Sequence, residues 1–135
     1  MKITICGSCD FAESMKKAVD FLESRGIQCF APEPLVTEES YQEENGRQKF
    51  LKMKPVFTMN HSKKIENSDA VLILNEKKKG IDGYFGSNTL MELTIAFYLG
   101  KKIFFLNPIK EDHPHYEEVI GIDKVVLDGD LGKIA

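Results

Sequence analysis

Two short runs, Ala70-Val71-Leu72-Ile73-Leu74 and Ile103-Phe104-Phe105-Leu106, are apolar without alternation, and between them lies a helix-length segment, Thr89 to Leu99, that is apolar almost all round. A strand with no polar face must be covered on both sides, and that is the condition of a parallel sheet sandwiched between helices. The rest of the chain follows the same rhythm. Lys2 to Cys6 reads as a first strand, and Asp10 to Arg25 as an amphipathic helix through Phe11, Met15, Ala18, Val19 and Leu22, started by Asp10 and Glu13 and stopped at Gly26. Ile27 to Ala31 reads as a second strand ended by Pro32-Glu33-Pro34, whose prolines cannot donate to a ladder. Val36 to Arg47 is polar and takes no assignment. Phe50 to Asn67 reads as a helix broken or kinked at Pro55. The tail offers a short helix from His115 to Val119 and a last strand from Lys124 to Leu127. The expected fold is therefore α/β, a three-layer sandwich with a five-stranded parallel sheet, flavodoxin-like or Rossmann-like.

At 135 residues the chain suits one domain, spanning 1–135. A formal charge of -3 argues against a nucleic-acid polymer as partner, because tracking phosphates needs clustered cations. Lys77-Lys78-Lys79 is the only run of three basic residues and reads first as a solvated loop, with steering of an anion as the alternative. No apolar run approaches the ~20 residues that cross a bilayer, and Met1-Lys2-Ile3-Thr4-Ile5 opens as a strand, so no membrane association and a cytoplasmic location are expected. Cys6, Cys9 and Cys29 are an odd count that suits reduced thiols.

In a parallel sheet the ligand crevice lies at the carboxyl ends of the strands. The first strand ends in Cys6-Gly7-Ser8-Cys9 and runs directly into a helix, a turn whose backbone amides favour an anion. Gly7 fits equally a tight turn chosen for its backbone angles. The third strand leads into Asp82-Gly83-Tyr84-Phe85-Gly86-Ser87-Asn88, a loop dense in hydrogen-bonding groups, and then to Glu92 near the head of the apolar helix. Thr89-Leu90-Met91-Glu92 matches a capping box, in which the glutamate reaches back to a backbone amide. The loop points to a small-molecule site instead, and the two roles are compatible. Neutrality at pH 7 requires a rise of about three units in the glutamate pKa, so Glu92 is expected to be a carboxylate, suited to attack or to stabilising a cation. Cys6 and Cys9 also spell C-x-x-C at a strand-to-helix junction, which leaves a thiol redox protein as a minor alternative. Without a second pair of ligands, no metal is expected there.

Taken together, these pieces resemble the nucleoside 2-deoxyribosyltransferase superfamily, which includes the 2′-deoxynucleoside 5′-monophosphate N-hydrolases. The resemblance spans roughly residues 2 to 108: the Cys6-Gly7-Ser8 turn, the Ser68-Asp69-Ala70-Val71-Leu72 entry to the third strand, and Met91-Glu92-Leu93 followed by an apolar helix and Gly100-Lys101-Lys102-Ile103. It implies that Gly7 and Ser8 hold substrate and that Glu92 attacks the anomeric carbon. His61 stands where the family carries a catalytic aspartate, and it would donate a proton to the leaving base, hold Glu92 in position, or lie on the helix surface. Asp69 is read as the structural start of the strand. Asp82, Tyr84, Gly86, Ser87, Asn88 and Asn107 are the remaining candidates for substrate contact, with Tyr84 either stacking on the ligand or packing in the core. The implied function is N-glycosidic cleavage of a nucleoside or nucleotide, or 2-deoxyribosyl transfer, without a cofactor and in a homo-oligomer. The rivals are a nucleotide-binding sensor without turnover and a partner-binding protein that uses Glu38 to Arg47.

Overall fold

A computed structural model describes residues 1–32 and 42–134. Its strands are β1 (Lys2–Cys6), β2 (Gln28–Phe30), β3 (Ala70–Ile73), β4 (Lys102–Phe105) and β5 (Val125–Val126). Its helices are α1 (Ala12–Ser24), α2 (Gly46–Glu66), α3 (Ser87–Tyr98) and α4 (Tyr116–Val119), with single 3-10 turns at Cys9–Phe11 and Leu131–Lys133. All five strands are parallel, in the order β2-β1-β3-β4-β5, as the unbroken apolar runs require.

Strand side chains alternate between two cores. Ile3 and Ile5 of β1 join Phe11, Met15, Ala18 and Leu22 of the first helical segment, together with Leu72, Leu74 and Phe104. Cys6 points the other way, into a second core with Val71, Ile73, Phe85, Leu93, Ala96 and Phe105, which α2 and α3 cover. Parity alone thus sends the Cys6 thiol toward α2 and α3. Gly26, at φ +81, ends α1 in the left-handed conformation expected after a helix.

Three local expectations are corrected. Helix α2 is one continuous element with Pro55 inside it; Pro55 is exposed, so the missing amide forfeits one hydrogen bond on the solvent face without ending the helix. Gly7 is not at a positive φ; a Cβ there would lie 3.0 Å from Met15 Cε and 3.2 Å from the Leu74 carbonyl, so close packing of α1 on β3 demands the glycine. Helix α3 is not buried all round, since Met91, Phe97 and Tyr98 are exposed. Residues 33–41, which include Glu33 and Pro34 of the proline segment after the second strand and the first four residues of the Glu38 to Arg47 segment, lie outside the described residues.

Candidate active site

The strand order reverses direction between β1 and β3, and in open parallel sheets the crevice for ligands opens there, beyond the strands' carboxyl ends. A cavity of about 440 Å³ occupies this position, a volume typical of small-molecule sites. The turn after β1 contributes Gly7, Ser8, Cys9 and Asp10; the loop and first turn after β3 contribute Lys78, Tyr84, Gly86, Ser87, Asn88, Thr89 and Glu92. The third wall is α2. Phe50, Lys54, Phe57, Thr58 and His61 fall at i, i+4, i+7, i+8 and i+11, a single helical stripe facing the cavity.

Glu92 belongs to the core-facing stripe of α3, with Thr89, Leu93 and Ala96, and is only 6% exposed. Its Oε2 lies 3.1 Å from Nε2 of His61, itself 3% exposed. The capping box is not formed: α3 begins at Ser87, its N-cap is Gly86, and no side chain caps it. Thr89 sits inside the helix, too late to act as the cap, so the glutamate turns to a histidine on the neighbouring helix. Burial pushes the Glu92 carboxyl from its ordinary 4.5 up to about 8, which overturns the expectation of a simple carboxylate at neutral pH. Nε2 of His61 stands at hydrogen-bonding distance from that carboxyl, so a proton can pass between the two side chains.

Nε2 of His61 also lies 3.5 Å from Sγ of Cys6. Burial, and secondarily the charge of Glu92, raises the Cys6 thiol well above its ordinary range, and burial raises Cys9 as well. A redox pair needs an easily ionised thiol, so these shifts oppose the C-x-x-C reading, as does a sheet with five parallel strands. Cys6 is sealed in the core while Cys9 is exposed.

Lys78 crosses the cavity mouth. Its Nζ donates to Ser8 Oγ at 2.9 Å, pairs with Asp10 Oδ2 at 2.7 Å and lies 5.5 Å from the Tyr84 ring centroid. Ser8 Oγ also accepts from the Asp10 amide at 3.3 Å. With both acceptor positions of the hydroxyl used, its proton is left to donate. The lysine run is therefore not simply a solvated loop: its middle member ties the β1–α1 turn to the β3–α3 loop.

Of the residues singled out in the sequence, Gly7, Ser8, His61, Tyr84, Gly86, Ser87, Asn88 and Glu92 line this cavity, whereas Asp82 and Asn107 do not. Asp82 is on the surface, 2.8 Å from Lys110 Nζ, whose hydrogen bond and charge hold its carboxyl below the usual range. Asn107 is held by Asn75: its amide nitrogen donates to Asn75 Oδ1 at 2.9 Å and its side chain to the Asn75 carbonyl at 3.0 Å, while Asn75 Nδ2 donates back to the Asn107 carbonyl at 2.7 Å. This reciprocal bridge joins the ends of β3 and β4 and shapes the scaffold beneath the loop. Asp69 accepts from the Lys2 amide at 2.8 Å, the structural role expected of it. Lys54, Phe57 and Thr58, which also line the cavity, had no place in the sequence reading. The helical spacing that leads from Phe50 to His61 was the available signal, hidden by treating Pro55 as a break.

No family model matches the sequence, and no curated protein matches it. Solved structures do. The 2-deoxyribosyltransferase of the psychrotolerant bacterium Bacillus psychrosaccharolyticus superposes with a TM-score of 0.59 at 19% identity, covering 82% of this chain and 75% of that one. The Clostridium botulinum CMP N-glycosidase BcmB superposes with a TM-score of 0.53 at 11% identity, covering 98% and 94% respectively. The chain has the α/β fold of these proteins, in agreement with the resemblance read from its sequence.

Proposed function

We propose that the chain cleaves or transfers across the N-glycosidic bond of a nucleoside or nucleotide, with Glu92 as nucleophile and His61 as its proton partner. The observation that carries this reading is the buried Glu92–His61 pair, 3.1 Å apart, facing a 440 Å³ cavity at the sheet's switch point. The fold shared with proteins named for 2-deoxyribosyl transfer and for glycosidic cleavage of CMP supports it.

In this mechanism the carboxyl proton passes to Nε2 of His61 and the freed carboxylate attacks C1′. The C1′–N bond breaks, its electron pair leaves with the base, and the base takes the proton from the imidazolium. A water or an incoming base then attacks C1′ of the glycosyl-enzyme, His61 takes the proton released, and the C1′–O bond to Glu92 breaks. Two lower barriers replace one high one. Gly7, Ser8, Tyr84, Gly86, Ser87 and Asn88 line the cavity and take the substrate-holding role in this reading. A test incubates the protein with a panel of nucleosides and monophosphates and measures released base for wild type and Glu92→Ala. Base release by the wild type alone supports the assignment; equal release by both refutes it.

A binding module without turnover is the second reading, and one observation favours it: burial keeps Glu92 largely protonated near neutrality, which weakens it as a nucleophile. In that case a panel member raises the melting temperature and no base is released.

A further inference from the structure

We propose that Cys6, His61 and Glu92 form a site for a thiophilic divalent cation, zinc(II) in the first instance, at the floor of the cavity. The three residues come from β1, α2 and α3, and each offers one ligand atom of a type that zinc accepts. Those atoms all lie within 4.8 Å of one another. With zinc–nitrogen and zinc–oxygen bonds of about 2.0–2.1 Å and a zinc–sulfur bond of about 2.3 Å, tetrahedral angles put nitrogen and sulfur about 3.5 Å apart and nitrogen and oxygen about 3.3 Å apart. The observed separations from His61 Nε2 are 3.5 Å to Cys6 Sγ and 3.1 Å to Glu92 Oε2. One nitrogen thus faces a sulfur and an oxygen at once, as it would across a shared ion.

A proton relay uses the glutamate and histidine and leaves the Cys6 thiol to pack in the second core, since a neutral thiol is a weak hydrogen-bonding group. A cation gives all three atoms one. His61 and Glu92 line the cavity, so the fourth coordination position opens onto it, the arrangement of zinc sites with three protein ligands and an exchangeable one. Loading balances by proton release: the Cys6 thiol loses its proton and the Glu92 carboxyl loses its own, leaving thiolate, carboxylate and neutral imidazole on the ion.

If Glu92 attacks sugar as proposed above, the ion and the substrate compete for the same carboxylate, and zinc is a reversible inhibitor. Metal binding itself is read without turnover, so failure of one claim does not carry the other with it.

The test titrates the purified, reduced chain with cobalt(II), then displaces it with zinc(II). The expected result is a sulfur-to-cobalt charge-transfer band and intense tetrahedral ligand-field bands saturating at one ion per chain, bleached by zinc, unchanged in Cys9→Ser and lost in Cys6→Ser. Where Cys6→Ser does not fold, Glu92→Gln takes its place, with weakened binding and loss of tetrahedral intensity expected. Absence of a sulfur band in the wild type overturns the proposal. So does a band that survives Cys6→Ser and vanishes in Cys9→Ser, which would mark adventitious binding by the exposed thiol, or a Glu92→Gln chain that binds cobalt as the wild type does.

Discussion

His61 and Glu92 stand 3.1 Å apart across the packed helices α2 and α3, and each is nearly sealed from solvent although both line the cavity. Neither side chain reaches the other by local geometry; they are 31 positions apart, and the sheet beneath them fixes the distance. Desolvation sets the chemistry of the pair. A carboxyl with a pKa of about 8 is held in its protonated form by its surroundings, and the histidine at hydrogen-bonding distance is the group able to exchange that proton with it.

Stability should decline with pH between about 4.5 and about 8. Below that window the Glu92 carboxyl is protonated in both folded and unfolded chains. Within it the folded chain keeps a proton that the unfolded chain has released, so the unfolded state binds fewer protons and rising pH favours unfolding. Melting temperatures of wild type and Glu92→Gln across this range test the point: the glutamine variant should lack this component and gain on the wild type as pH rises. Parallel curves would contradict the buried-proton account.

Catalysis should share that upper limb. Because the departing base takes the proton held by the pair, base release falls as pH rises past about 8, where the proton is lost. Measured pH–rate profiles check this, and His61→Asn should both lower the rate, by about 10²–10⁴-fold, and move the limb. A profile that His61→Asn leaves in place would remove the histidine from proton transfer.

The loop over the site depends on a residue without a side chain. Gly83 has φ +65, and a Cβ there would stand 2.4 Å from the Pro108 carbonyl oxygen and 3.2 Å from Asn75 Nδ2. Gly83→Ala should destabilise the chain by about 1–3 kcal/mol, read as a fall in melting temperature of several degrees. An unchanged melting temperature would show that the loop has room to move.

Lys78→Ala should loosen the cavity mouth by removing the tie among Ser8, Asp10 and Tyr84. The expected result is a higher KM with kcat nearly unchanged, since the ammonium contacts groups at the entrance and not the Glu92–His61 pair. A fall in kcat at constant KM would place Lys78 in the chemical step.

The sheet was legible because strands buried on both faces have no polar alternation to confuse them, and β1, β3 and β4 stand where the apolar runs put them. Glu92 was legible because a carboxylate in an apolar helix has few reasons to be there. Its protonation was not: a capping-box spacing is satisfied by sequence, but whether the box forms depends on where the helix starts, and Ser87 opens it too early for Thr89 to cap. The α2 wall was hidden by Pro55, which reads as a break in the sequence but sits at an exposed position inside one continuous helix. Asp82 and Asn107 show the opposite error. Both are polar residues near strand ends, but Lys110 and Asn75 claim them, partners that only the folded chain brings near.

The central claim is that Glu92 bonds to sugar during turnover, and mass spectrometry of protein quenched while it releases base tests it most directly. The account predicts a glycosyl adduct on the peptide containing Glu92, formed by the wild type and lost on Glu92→Gln together with at least about 10⁴-fold in rate. Base release that proceeds at an undiminished rate in Glu92→Gln, or an adduct on another residue, would contradict it.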